Sequence, residues 1–94
     1  MRTLVWSATF ARAFKRMSRH QRQLTARTER ALKQLAEDPF HSSLRTHKLK
    51  GKLAGSWACT VDYDNRIVFE FAQDPLSGEE EILLLTVGTH EEVY

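Results

Sequence analysis

Ninety-four residues, 41% hydrophobic and 28% charged, make an ordinary globular composition with room for one core, so a single domain over residues 1–94 is expected. The net charge of +2 is unevenly spread: residues 1–52 hold 13 Lys and Arg against three acids, whereas residues 53–94 hold Arg66 against nine acids. One cysteine excludes an internal disulfide or a cysteine-based metal cage, no apolar run is long enough to cross a membrane, and "MRTLVWSATF" has no signal-peptide pattern, so a cytoplasmic setting without membrane contact is expected.

In chain order, Arg2–Ser7 ("RTLVWS") reads as a first strand, rich in β-branched and apolar residues. Ser7 or Thr9 then caps a helix in which Phe10, Phe14 and Met17 form one apolar stripe. The pattern breaks over Ser18–Gln21 and resumes at Leu24, Ala31, Leu32 and Leu35. This second helix should stop before Pro39, because the residue preceding proline disfavours the helical region. The result is a helical hairpin whose apolar faces need a cover.

The second half supplies the cover. "LRTHKLKGKLAG" (44–55) is a short strand or loop, and "SWACTVDY", "RIVFEFA" and "EEILLLTV" are three strand-like runs. "DYDN" joins the first two runs as a tight turn and "DPLSG" joins the last two, so an antiparallel meander follows. The expected fold is α+β: an N-terminal strand, a helical hairpin, then a β-meander packed on the helices, β-α-α-β-β-β(-β). There are no internal repeats and no linker. Cys59, inside a strand-like run, reads as a buried inert thiol.

The common enzyme signatures are missing. His20, His41, His47 and His90 have no zinc-ligand spacing, and "GKLAG" lacks the strand-to-helix context of a phosphate loop. No strained nucleophile turn is present either. A looser set lies near strand ends and loops: His47, Lys48, Lys50, Lys52, Asp64, Arg66, His90 and Tyr94. Metal-free RNA cleavage needs a base for the 2′-OH, an acid for the leaving 5′-oxygen and cations for the phosphorane. Histidine suits both proton roles, and an aromatic ring can stack on a base. The plain alternative is that these are surface polar residues, with Asp64 simply a turn residue.

"HKLKG", "GSWACTVDYDNRIVFEF" and "LLLTVGTHEEVY", taken in order, resemble successive segments of the RelE/ParE-superfamily toxins of type II toxin–antitoxin pairs. The similarity is greatest to the YafQ-like and YoeB-like mRNA interferases and covers essentially the whole chain. The resemblance implies a cytoplasmic bacterial endoribonuclease that cuts mRNA in the ribosomal A site without metal or other cofactor. It implies His47 as general base, Arg66 as the phosphate contact, His90 as general acid and Tyr94 as the nucleotide-packing ring. Lys48, Lys50 and Lys52 would bind the RNA backbone. The chain departs from RelE in having no lysine on "WACTV", and from YafQ in having "DYDN" where extra histidine and Asp–Trp residues stand.

Implied partners are a cognate antitoxin, in a hetero-oligomer, together with mRNA and ribosomal RNA. The basic half fits either a polyanion or an acidic protein, unless its charges merely solvate the helices. Two other functions share this fold: a ParE-like inhibitor of DNA gyrase, and an inactive toxin kept as antitoxin partner and co-repressor.

Overall fold

The computed structural model describes residues 1–94. Strand β1 (Thr3–Trp6) leads into helices α1 (Ala8–His20) and α2 (Arg22–Glu37). Of the two candidate caps, Ser7 closes α1: its hydroxyl oxygen accepts from the Phe10 N–H at 3.0 Å and its O–H donates to the Leu85 carbonyl at 3.1 Å. Gln21 makes the break between the helices. Its N–H reaches back to the Met17 carbonyl at 2.9 Å, while its own carbonyl accepts from Thr25 at 2.9 Å. Helix α2 ends ahead of Pro39, as the proline rule requires.

The remaining chain forms β2 (His47–Lys48), β3 (Trp57–Thr60), β4 (Asn65–Gln73) and β5 (Glu80–Thr89), with 3₁₀ turns at Ser42–Leu44 and Gly51–Leu53. A one-turn helix, α3 (His90–Val93), follows β5 and has no counterpart in the sequence-based reading. Strand β3 is shorter than "SWACTVDY", because Val61 and Asp62 peel away into the turn. The sheet order is β1-β5-β4-β3-β2. Strands β2 to β5 are antiparallel neighbours, and β1 lies parallel to β5, with Leu4 opposite Ile82. The connection between these two parallel strands runs through the helical hairpin and then β2, β3 and β4.

Both helices pack on one face of the sheet. Phe10, Met17, Leu24, Leu32 and Leu35 meet Cys59, Ile67, Phe69, Ile82, Leu84 and Val87 in a continuous buried cluster. Thr28 is buried among them without penalty, since its hydroxyl donates to the Leu24 carbonyl at 2.8 Å. Phe14 is half-buried and packs edge-on against Trp6, with centroids 5.0 Å apart. Because strand side chains alternate, Arg66 and Val68 point to the face away from the helices. No helix is long and apolar enough to cross a membrane.

Candidate functional site

Two clefts meet at His90, where β3 turns into β4 and β5 runs into α3. One, of about 730 Å³, is lined by Gln21, Tyr63, Asp64, Asn65, Arg66, Thr89, His90, Glu91 and Glu92. The other, of about 400 Å³, is lined by Leu49, Lys50, Lys52, Leu53, His90 and Tyr94. Lys50 and Lys52 therefore stand across a groove from the two C-terminal rings.

His90 and Tyr94 are placed by α3. Thr89 caps this turn: its hydroxyl accepts from the Glu92 N–H at 3.3 Å, and the Glu92 carboxylate accepts from the Thr89 N–H at 2.8 Å. This reciprocal capping box satisfies two N–H groups at the helix start. Residues four apart on a helix share a face, and the two rings meet edge to face with centroids 4.3 Å apart. A β-carbon on Gly88 would come within 2.9 Å of a Glu92 carboxylate oxygen, so glycine lets α3 fold closely against β5. The bonds from the Thr89 N–H and hydroxyl hold the Glu92 carboxyl below its ordinary pKa.

Arg66 is held by the turn that precedes it. Its Nη1 donates to the carbonyls of Asp62 at 2.6 Å, Tyr63 at 3.0 Å and Asn65 at 3.0 Å. The turn is itself organised by Asp62, whose Oδ1 accepts from the Asp64 N–H, the Asn65 N–H and Asn65 Nδ2 at 3.0, 2.8 and 3.0 Å. Burial of the Asp62 carboxyl opposes its ionisation, but these bonds and the Arg27 charge prevail and keep its pKa below the ordinary value. Burial raises the Tyr94 phenol pKa, and the Arg66 guanidinium pulls against that rise, so the two side chains share one electrostatic neighbourhood.

His47 pairs with Ala58 in the row that continues through Val68 and Thr86, on the face that carries Arg66. Its Nδ1 bonds the Arg45 carbonyl at 3.0 Å. A carbonyl only accepts, so this bond puts a proton on Nδ1, and Nε2 is the nitrogen that carries the lone pair in the neutral ring. From strand spacing and rise, the His47 and Arg66 α-carbons lie roughly 12 Å apart. His47 lines neither cleft.

Lys48 follows His47 on β2 and so points to the opposite face, with its Nζ 5.5 Å above the Trp57 ring. It is not brought to the His90 clefts, unlike Lys50 and Lys52. Asp64 sits exposed on the cleft wall, and its carboxylate accepts no hydrogen bond within the fold. Nowhere do three or more His, Cys, Asp or Glu side chains gather in a way that could hold a metal ion.

A sequence model of the family described as "Bacterial toxin of type II toxin-antitoxin system, YafQ" matches residues 2–94. The chain belongs to the YafQ toxin family. Among curated proteins it is similar to Toxin YoeB of Streptomyces coelicolor (strain ATCC BAA-471 / A3(2) / M145), with 34% identity over 55 residues. That alignment covers 58% of this chain and 66% of the relative, just under two thirds of its length. Among solved structures, the YoeB/ParE toxin from Agrobacterium tumefaciens superposes with a TM-score of 0.78 at 18% identity, over 94% of this chain and 98% of that one. The E. coli DinJ–YafQ complex matches with a TM-score of 0.74 at 15% identity, over 100% and 99%. At these identities the structural likeness speaks for the fold.

Some residues around the clefts of this YafQ-family chain escaped the sequence reading. Tyr63, an aromatic ring that is 92% exposed, was read only as the end of a strand-like run and part of the turn after it. Asp62 carried a usable signal: aspartate opening a four-residue turn commonly bonds the N–H groups that follow it. Gln21, far away in sequence, had none.

Proposed function

We propose that this toxin is a metal-independent endoribonuclease that cleaves mRNA in the ribosomal A site. One observation carries the reading: His90, Tyr94 and Arg66 converge at one end of the sheet, with Lys50 and Lys52 across the groove. His47 shares the face away from the helices with Arg66, and in the neutral ring its Nε2 would accept the proton.

In this mechanism His47 Nε2 takes the 2′-OH proton, and the 2′-oxygen attacks the phosphorus. Protonated His90 then gives its proton to the departing 5′-oxygen, leaving a 2′,3′-cyclic phosphate and a 5′-hydroxyl. Arg66 stabilises the charge that builds on the phosphorane. Tyr94 packs on the nucleotide, Lys50 and Lys52 meet the RNA backbone, and Asp64 lies at the rim as a further polar contact. Lys48 is left out of the RNA-binding set, because it faces Trp57. The toxin's partners are then mRNA, the ribosome and an antitoxin whose acidic segment covers the same basic groove in a hetero-oligomer. The setting is the bacterial cytoplasm.

Primer extension on mRNA after induction tests the proposal, with wild type beside His90→Ala. New 5′ ends should appear for wild type and vanish for the variant, as loss of one proton-transfer group typically costs ~10²–10⁴ in rate. Full toxicity of both His90→Ala and His47→Ala would refute it. DNA damage without mRNA cleavage would point to gyrase instead.

A further inference from the structure

We propose that Asp62 is a positioning residue for Arg66: its carboxylate, tethered to α2 through Arg27, shapes the β3–β4 turn into the carbonyl cradle that holds the guanidinium. The catalytic purpose of this arrangement rests on the ribonuclease reading above.

Three carbonyls from one short turn, those of Asp62, Tyr63 and Asn65, converge on a single nitrogen of Arg66. Turn carbonyls are free to face water, so their convergence needs a cause. The Tyr63 carbonyl shares its peptide with the Asp64 N–H that Asp62 holds, while the Asn65 carbonyl is also fixed by accepting from the Val61 N–H at 3.0 Å. Asp62 Oδ1 gathers the N–H groups of Asp64 and Asn65 and the Asn65 side-chain amide, which fixes the peptide planes between them. Asp62 Oδ2 lies 3.6 Å from Arg27 Nη1 on α2. At that length, with Arg27 half-exposed, the ion pair contributes little stability; what it supplies is a fixed orientation of the turn against the helix.

The consequence for Arg66 is specific. A guanidinium has five N–H donors, and the cradle occupies the two on Nη1. Nε and Nη2 have no partner within the fold and are not sealed from solvent. They form the parallel fork that suits a phosphate. The side chain is thus anchored along one edge and presented along the other, its rotamer freedom already removed before substrate arrives.

Single-turnover cleavage on mRNA-programmed ribosomes tests the idea, using Asp62→Ala, Arg66→Ala and the double variant. Asp62→Ala should slow cleavage about 100-fold, because a misplacement near 1 Å costs that much, with KM changed by less than about threefold. Asp62→Asn should recover part of the loss, since its amide oxygen still accepts the two backbone N–H bonds. On the Arg66→Ala background, Asp62→Ala should add nothing, as expected of residues acting as a unit. Multiplying losses would overturn the proposal. If Asp62→Ala fails to fold, Arg27→Met should give a smaller loss that also vanishes on the Arg66→Ala background.

A second readout does not depend on activity. In ¹⁵N NMR of the 94-residue chain, the Arg66 Nη1 protons should exchange slowly in wild type and rapidly in Asp62→Ala. Unchanged exchange overturns the proposal. A wild-type chain that cleaves no RNA would remove the ribonuclease reading alone, and the NMR result would still decide the link from Asp62 to Arg66.

Discussion

Replacing Thr89 by alanine should loosen α3 while leaving the rest of the fold intact. Helix α3 has four residues, none of them buried, and its last backbone bond runs from the Tyr94 N–H to the His90 carbonyl at 3.0 Å. The capping box therefore carries much of what orders it. Thr89→Ala removes the bond to the Glu92 N–H, which then meets water, so the loss is that of a typical N-cap, about 1 kcal/mol. A change of that size lowers the ratio of docked to undocked α3 about fivefold. If activity follows the docked fraction, it falls by up to about fivefold, and adding Glu92→Ala at a similar cost extends the limit to about 25-fold. An unfolding entropy near 0.2 kcal/mol/K for a chain of this length caps the accompanying Tm shift at about 5 °C. RNA cleavage, thermal melting and the His90 ring-proton shift would be measured together, since the His90 and Tyr94 rings are in T-shaped contact. Wild-type activity with an unmoved His90 shift would refute the reasoning.

Phe10 is fully buried and packs edge-on against Trp6 at 4.8 Å, so Phe10→Ala should cost about 3–5 kcal/mol and lower Tm by roughly 15–25 °C in a melt. Burial pushes the Cys59 thiol up to about 12, above its unfolded value, so the stability it contributes is fully present below about pH 9 and is lost as pH rises towards 12. Denaturant titrations should therefore show wild type losing stability relative to Cys59→Ala by about 1.4 kcal/mol per pH unit across that window. Raising salt from 50 to 200 mM should weaken ribosome binding sharply in a sedimentation assay. Lys50→Ala and Lys52→Ala should each flatten the log–log salt slope by about 0.7, whereas Lys48→Ala should leave it unchanged.

Local physics made most of the fold readable. The spacing of Phe10, Phe14 and Met17, the stop at Pro39 and the turn at "DYDN" each depend on near neighbours, and each appears where expected. The parallel pairing of β1 with β5 does not, because the register of Leu4 against Ile82 is decided only by packing across the folded chain. At the site, strand alternation alone would have separated His47 from Lys48. The α3 turn was also legible: "THEE" has the threonine and glutamate spacing of a capping box, yet no helix was assigned there. Tyr63 and Gln21 reach the cleft through tertiary folding, which no local pattern announces.

The partnership of β1 with β5 sets an order of events during synthesis. Ser7 bonds Leu85, 78 residues later, so at roughly 5–20 residues per second β1 waits about 4–16 s for its neighbour to be made. The helical hairpin, built from nearby residues, can form during that wait, while the sheet's middle stays open until β5 arrives. The segment that closes the sheet also delivers His90. A nascent chain therefore has no assembled His90 site while most of its length is already exposed, and the toxin gains its proposed chemistry only in the step that completes its fold.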